Sequence, residues 1–288
     1  MRITNLMIQM NLQNGLRSRM SAVARASVQA TTGQRINTMS DDPVDASQIM
    51  RMNSQVSDIE QYRRNGTFAT TKLSTEDVTI SSLRDAISKA KSLALSTTAA
   101  DPNDPVRQAA LTEVYSLKDQ IVALGNTRVG NQYIFGGDNS TTPPFQSNGV
   151  YVGNTNAQQV TINSGVSIAV NHTGQPLFTD AITAVNNLLT QLTSGTPAQI
   201  SAAASNLDAA SQTALGMQAE VGSRLQDVQT QGTQLAALSS SLLDRRDNLR
   251  NVDQATAIVQ LQQEQSALER AYAVVGRVLQ STLTDYLK

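Results

Sequence analysis

Side chains able to do catalytic or metal-binding chemistry are few in this sequence. His172 is the only histidine among 288 residues, and there is no cysteine, so disulfides and thiolate metal sites are excluded. His172 lies in a loop rich in glycine and asparagine, without a second histidine or a cysteine to share a metal. We interpret it as a structural residue. The sequence therefore predicts no catalytic residue, no cofactor and no metal.

Carboxylates cluster at two points where the helical pattern breaks. The first cluster is Ser40-Asp-Asp-Pro43 with Asp45 nearby, and the second is Asp101-Pro-Asn-Asp-Pro105. A carboxylate just before a proline is typical of a helix start, because it accepts from free backbone N–H groups and complements the helix dipole. We interpret both clusters as helix caps, with Ser40 or Asp41 capping the first helix.

The composition limits the partners of the chain. The formal net charge is -1, and no run of like charges indicates a nucleic-acid partner. Aromatic residues make up 3% of the chain, which argues for thin helical packing rather than a large core with a ligand pocket. The apolar stretches are too short to span a membrane, and the N-terminus lacks the continuous apolar region of a Sec signal peptide.

Apolar residues recur at helical spacing near both ends of the chain. We call these two sets the terminal stripes. The N-terminal stripe is Ile3, Leu6, Met10, Leu16, Met20 and Val23, and the C-terminal stripe is Ile258, Leu261, Leu268, Tyr272, Val275, Leu279 and Tyr286. Because isolated helix pairs of this kind are marginal in water, we expect the stripes to be buried against other copies of the chain. The alternative is an ordinary bundle within one chain.

The middle of the chain has a different pattern. Glycines and prolines interrupt short runs rich in β-branched residues, and the strand candidates are Gln132–Phe135, Val150–Val152, Gln158–Ile162 and Val166–Val170. Helical patterning returns at Asp180–Leu192 and again from Pro197. The predicted fold is mainly α with a small β insertion. It is an elongated antiparallel helical bundle, a coiled-coil rod, in which the N- and C-terminal helices pair.

Three domains follow from this pattern. Residues 1–42 and 252–288 form a terminal-helix assembly domain, 43–130 and 180–251 form a helical rod, and 131–179 form a small β-rich domain.

The segments Thr32-Gly-Gln-Arg-Ile-Asn37 and Ser40-Asp-Asp-Pro-Val-Asp-Ala46 resemble the link between the first two helices of the flagellin superfamily. The C-terminal heptad helix and the mid-chain β segment fit the same family. The residues that carry the motif are Gly33, Arg35, Ile36, Asn37, Ser40, Asp41, Asp42, Pro43 and Ala46. Within the family, Met1-Arg-Ile-Thr4 and Tyr133-Ile-Phe-Gly-Gly137 favour the subunit at the junction between hook and filament over the filament subunit.

The resemblance implies a structural role in the bacterial flagellum. It implies assembly with copies of the same chain, with the adjacent junction protein and with flagellin. It also implies type III export without a Sec signal, and a cytoplasmic chaperone that covers the C-terminal stripe beforehand. The alternatives are a filament flagellin or a type III secreted helical effector or tip protein. No membrane partner and no enzymatic activity are expected.

Overall fold

The computed structural model describes the backbone of residues 2–286 and the side chains of residues 7–278. The helices are α1 (Arg2–Thr32), α2 (Pro43–Ser96), α3 (Pro105–Gly125), α4 (Leu177–Ser194), α5 (Pro197–Arg250) and α6 (Gln254–Tyr286). The strands are β1 (Arg128–Val129), β2 (Gln132–Tyr133), β3 (Gln159–Asn163) and β4 (Val166–Ala169). The prediction of a mainly α fold with a small β insertion in mid-chain is confirmed.

The chain divides into two compact units. The first unit is residues 1–58 with 237–288, and the second is residues 59–236. The division falls inside α2 and α5, each of which contributes residues to both units. The three domains predicted from the sequence stay a prediction.

Residues spaced by seven build the core of the second unit. They are Leu73, Ile80, Ile87 and Ala94 on α2, and Ile200, Leu207, Ala214, Val221 and Val228 on α5, and all belong to one buried cluster. A seven-residue apolar spacing keeps one face of a long helix against its neighbours over many turns. The side chains of α3 and α4 complete the same cluster.

Side-chain contacts show that α2 and α5 run in opposite directions. Arg84 donates to Gln218 Oε1 at 2.9 Å, and Lys91 pairs with Asp208 Oδ1 at 2.7 Å. Residue numbers therefore rise along α2 as they fall along α5. The two long helices of the second unit are thus antiparallel, as the sequence predicts.

The strands form two separate antiparallel hairpins, and the predicted boundaries need two corrections. β1 pairs with β2, and β3 pairs with β4. Val150–Val152 is not a strand, because only Tyr151 forms an isolated bridge, with Phe145. Pro143 and Pro144 lie on the opposite side and have no N–H to extend the pairing beyond Phe145, and the turn between the two sides contains Gly149 at φ +89°. β1 was not predicted, because two residues are too few for a periodic signal.

The turn between α2 and α3 begins the next helix as predicted. Asp104 caps α3, accepting from the N–H of Val106 at 2.8 Å, and Pro105 is the first helical residue. A proline at this position loses no hydrogen bond, since the first helical N–H groups have no partner within the helix.

A buried arginine ties this turn to the end of α4. Arg107 is 1% exposed and its guanidinium donates only to backbone carbonyls. The acceptors are Leu192 O at 2.6 Å, Gln191 O at 2.6 Å, Gly195 O at 2.8 Å and Ala100 O at 3.1 Å. Three of them lie at the C-terminal end of α4, where the helix dipole favours a positive charge.

Replacing Arg107 with Met is expected to destabilise the second unit by about 2–4 kcal/mol, because four carbonyl groups lose a charged donor and two of them, those of Leu192 and Gly195, belong to buried residues. Denaturant unfolding followed by circular dichroism measures the change. The matched control is Arg63→Met, which removes only an exposed ion pair with Glu60 and is expected to change stability by less than about 1 kcal/mol. Equal midpoints for the two variants would contradict the prediction.

Candidate assembly surface

The first unit is built on the pairing of the chain's first and last helices. Arg19 Nη1 lies 3.5 Å from Glu264 Oε2, and Val252 N donates to Gly33 O at 2.9 Å. Residue numbers on α6 therefore rise as those on α1 fall, so the two helices are antiparallel. The predicted pairing of the terminal helices is confirmed.

The terminal stripes divide between the helix pair and its outer surface. Leu16, Val23, Leu261, Leu268 and Val275 are half-buried, whereas Met10, Met20, Ile258 and Tyr272 are exposed. The remaining four stripe residues, Ile3, Leu6, Leu279 and Tyr286, lie outside the described side chains. One chain therefore covers only part of the predicted surface.

Additional apolar side chains on these helices are exposed beyond the predicted stripes. They are Met7, Ile8 and Val28 on α1, and Val259 and Val274 on α6. Within the described parts of the two helices, only Ala26 and Ala257 are fully buried. Only one apolar stripe was predicted for each helix from the spacing of its residues, so these additional residues were not identified. We call the exposed apolar residues of α1 and α6 together the outer face of the helix pair.

A shallow groove runs along the helix pair. Its volume is about 400 Å³, and it is lined mainly by small and apolar residues from both helices, together with Asn11, Arg19 and Arg270. They include Leu12, Gly15 and Leu16 on α1, and Ala267, Ala271 and Val275 on α6. Small residues leave room for a further side chain or helix to approach, so the groove extends the apolar character of the outer face.

The two turns at the base of the helix pair bind each other through their backbones. Gly33 ends α1 with φ +68°, a conformation that suits glycine. Arg35 N then donates to Arg250 O at 2.7 Å, and Gln34 bridges Asn251 in antiparallel fashion. We call this pair of turns, residues 33–42 and 249–253, the turn clamp.

The side chain of Arg35 holds the turn clamp from inside. Its guanidinium donates to Asp42 Oδ2 at 3.1 Å, to the carboxylate of Asp45, and to Leu249 O at 3.0 Å. Hydrogen bonds to Asp45 and Asp42 raise the pKa of Arg35 above its ordinary value. Ile36 is buried beside this network and packs with Ala46, Ile49 and Leu249.

The two aspartates of the motif have different roles. Asp42 Oδ1 accepts from Val44 N at 3.2 Å and Asp45 N at 3.1 Å, so Asp42 caps α2. The predicted cap at Ser40 or Asp41 is wrong, because Pro43 is the first helical residue and the cap must directly precede it. The hydrogen bond from the N–H of Asp45 lowers the pKa of Asp42 most, and the hydrogen bond from Arg35 lowers it further.

Asp41 closes the preceding turn instead. Its Oδ2 accepts from Thr38 N at 2.8 Å and Asn37 N at 3.0 Å, and these bonds lower its pKa. Asn37 Nδ2 donates to Gln34 O at 3.1 Å, and Ser40 Oγ lies 2.9 Å from Thr38 Oγ1. Each polar motif residue thus has a structural partner within the turn clamp.

In the part of the chain that the structure describes, no three His, Cys, Asp or Glu side chains come together as a metal site requires. None of the described helices is long and apolar enough to cross a membrane. The geometry that stands out is an apolar surface on paired helices, positioned by a polar turn.

Comparison with known proteins relates this geometry to that of flagellar proteins. Residues 3–140 match the family described as the bacterial flagellin N-terminal helical region. Flagellar hook-associated protein 3 of Escherichia coli (strain K12) is 32% identical over 182 residues, which cover 62% of this chain and 57% of that protein. The match to this relative therefore spans little more than half of its length. The resemblance to the flagellin superfamily predicted from the sequence is confirmed.

Solved structures of flagellar proteins share the fold. A putative flagellar hook-associated protein from Vibrio parahaemolyticus has a TM-score of 0.68 at 20% identity and covers 73% of this chain and 100% of its own. The flagellar junction protein FlgL from Legionella pneumophila has a TM-score of 0.53 at 14% identity and covers 70% of this chain and 100% of its own. At these identities the likeness establishes the fold alone.

Replacing Arg35 with Ala is expected to loosen the turn clamp, because Asp42, Asp45 and Leu249 O lose their shared donor. Hydrogen exchange of the backbone around residues 33–37 and 250–254 should become about tenfold faster, which corresponds to about 1.4 kcal/mol. Arg51→Ala is the matched control, since Arg51 makes only a 3.4 Å contact with Ser47 Oγ on the surface of α2. Unchanged exchange in both turns of Arg35→Ala would show that the backbone bonds alone hold the clamp.

Proposed function

We propose that this chain, whose residues 3–140 carry a bacterial flagellin N-terminal helical region, is a structural subunit at the junction between flagellar hook and filament. The observation that carries the proposal is the outer face of the α1–α6 pair. It exposes large apolar side chains on helices that have almost no buried core of their own. The role in motility is to join two parts of one organelle.

The energetics favour burial of this surface in an assembly. Nine large apolar residues on α1 and α6 are 42–63% exposed among the described side chains. Covering each of them would contribute roughly 1 kcal/mol. The summed free energy of burial offsets much of the cost of association. The isolated helix pair does not gain this free energy, because its side chains stay exposed. A concentration of exposed large apolar side chains on one helix pair is typical of protein interaction sites.

The choice between junction and filament rests on the relatives. The E. coli protein is named hook-associated protein 3, and the Legionella protein is named a flagellar junction protein. These names support the junction subunit over a filament flagellin. The names support a secreted effector or tip protein even less than a filament flagellin.

The partners follow from the same proposal. The N- and C-terminal helices pack against copies of this chain, and neighbouring surfaces meet the adjacent junction protein and flagellin. A cytoplasmic chaperone covers the C-terminal stripe before type III export, because α6 exposes Ile258, Val259, Tyr272 and Val274.

In this arrangement residues 1–42 and 252–288 form the inner domain, 43–130 and 180–251 form the rod, and 131–179 form the outer domain. The relatives are structural flagellar proteins, and we infer that this chain is likewise not an enzyme.

Replacing Tyr272 and Val274 together with Ser is expected to prevent incorporation into flagella without unfolding the chain. Both side chains are exposed in the single chain, at 49% and 53%, so any loss must come from a neighbour. Motility in a deletion strain and immunogold labelling of isolated hook–filament structures measure incorporation. Gln263→Ser, an exposed polar change on the same helix, is the matched control. Normal incorporation of the double variant would refute the outer face as an assembly surface.

Replacing Leu268 with Ser tests the side of α6 that faces α1, because this side chain is half-buried in the helix pair. It is expected to block incorporation and also to accelerate hydrogen exchange in α1, which the double variant leaves unchanged.

Deletion of the gene distinguishes a junction subunit from a filament subunit. Loss of a junction subunit leaves hooks without filaments and flagellin in the medium, whereas loss of one flagellin alters only the filament.

A further inference from the structure

A carboxylate occupies an apolar position in the core of the second unit. Ala69, Glu76, Leu83 and Ala90 form a column spaced by seven along α2, and all four are buried. Glu76 is 0% exposed, and its Oε2 has no hydrogen-bond partner. An ionised carboxylate in such a place requires a compensating charge or donor, since burial of an unpaired charge is costly.

His172 supplies that compensation from outside the helix. Its backbone N donates to Glu76 Oε1 at 2.8 Å, and its ring Nδ1 lies 2.7 Å from the same oxygen. The second ring nitrogen, Nε2, is buried and lies 3.1 Å from Glu220 Oε2 on α5, an ion-pair contact whose angles fall outside hydrogen-bond geometry. The side chain of His172 is 11% exposed. Only a protonated imidazole presents a donor to carboxylates on both sides, because the neutral ring has a single N–H.

The same contacts fix the loop that follows β4. Arg224 on α5 pairs with Glu220, and its Nη1 lies 3.4 Å from both Ala169 O and Asn171 O. Residues 170–176 contribute no charged side chain besides His172. The charged groups that face the imidazole are therefore Glu76 from α2, and Glu220 and Arg224 from α5. Lys72, one turn before Glu76, is buried and held by Gln158.

The β3–β4 hairpin has other attachments to the second unit, since the half-buried side chains of Val160 and Ile168 pack against its core. Asn65 Nδ2 donates to Thr161 O at 2.7 Å, and Asn163 Nδ2 donates to Gln231 Oε1 at 3.0 Å. Its buried apolar anchors are Ile162 and, just beyond β4, Val170. A two-stranded hairpin is marginal without support from packing. The ion cluster around His172 adds a polar attachment just beyond the end of β4.

We propose that His172 is a proton-controlled latch, which fixes the β3–β4 hairpin to α2 and α5 while its ring is protonated and loosens the hairpin when the proton leaves. On deprotonation, one of the two carboxylates faces a ring nitrogen without hydrogen. That contact then becomes repulsive instead of attractive. This inference is independent of the flagellar role proposed above.

The direction of the pH dependence follows from the surroundings of the ring. Burial acts to lower the pKa of His172, but the hydrogen bond and charge of Glu76, with the contact to Glu220, outweigh it and raise the pKa above 6.5. The latch is therefore fully closed below about pH 6.5, the ordinary histidine value, and loses its stabilisation as the pH rises through the higher folded value. Each unit of increase in pKa corresponds to about a tenfold change in the opening equilibrium.

The test combines a titration with hydrogen exchange on the full chain. His172 is the only histidine, so its imidazole resonances are identified without assignment and report its pKa directly. Exchange of residues 158–171 is followed from pH 5.5 to 9 and corrected for intrinsic exchange rates. We expect the opening equilibrium of the hairpin to increase several-fold as the pH rises, with the same midpoint as the imidazole titration. Exchange in the core of α3 around Val114 should stay unchanged.

His172→Gln is the decisive variant, because it keeps a hydrogen-bonding side chain but cannot titrate. The pH-dependent step should vanish in this variant. A step that persists would overturn the proposal and assign the effect to another group, such as Lys72, whose pKa burial lowers. Absence of any step in the wild-type chain across the imidazole titration would overturn it as well.

Glu220→Gln provides a second route if His172→Gln does not fold. It removes the half-exposed partner and leaves Glu76 in place, so the imidazole pKa and the midpoint of hairpin opening should fall together. Glu113→Gln is the matched control, since Glu113 pairs with Lys89 on the surface and does not contact His172. An opening midpoint that stays fixed while the imidazole pKa falls would show that the ring does not control the hairpin.

Discussion

The backbone hydrogen bonds between the turns at residues 33–36 and 250–252 are the constraint on which the first unit depends. They connect the end of α1 to the start of α6, and so decide which residues of the two helices face each other. Neither helix has a core that would fix this register by itself, because Ala26 and Ala257 are their only buried described residues. Arg35 and Asp42 then stabilise the turns, one as a shared donor and the other as the cap of α2.

Long-range periodicity made most of the fold predictable from the sequence. Helices of 54 residues repeat their apolar spacing over many turns, so α2 and α5 could be recognised and their proline starts placed. Short elements carry too little signal, and β1 was missed while Val150–Val152 was wrongly predicted as a strand. The cap of α2 was assigned one or two residues early, because several polar residues precede Pro43 and only geometry distinguishes them.

The candidate surfaces were predictable only in part. The terminal stripes were visible as spacing, but which of their residues stay exposed depends on the single face that the partner helix covers. Glu76 in an apolar column carries a sequence signal that was overlooked. Its partner His172 lies 96 residues further along the chain, and no local pattern connects the two. The interpretation of His172 as structural named no partner for it, and its two carboxylate neighbours could be identified only from the fold.

The turn clamp also has a consequence for the order of events during folding. Arg35 reaches a carbonyl 214 residues away, so this contact forms only after nearly the whole chain is present. Contacts of such long sequence separation carry a high loop-closure cost and form late. The second unit, 59–236, has its own core and contains no residue of either terminal helix. A chain that emerges gradually from its N-terminus can therefore complete that core first, and its helix pair closes only when the last residues arrive.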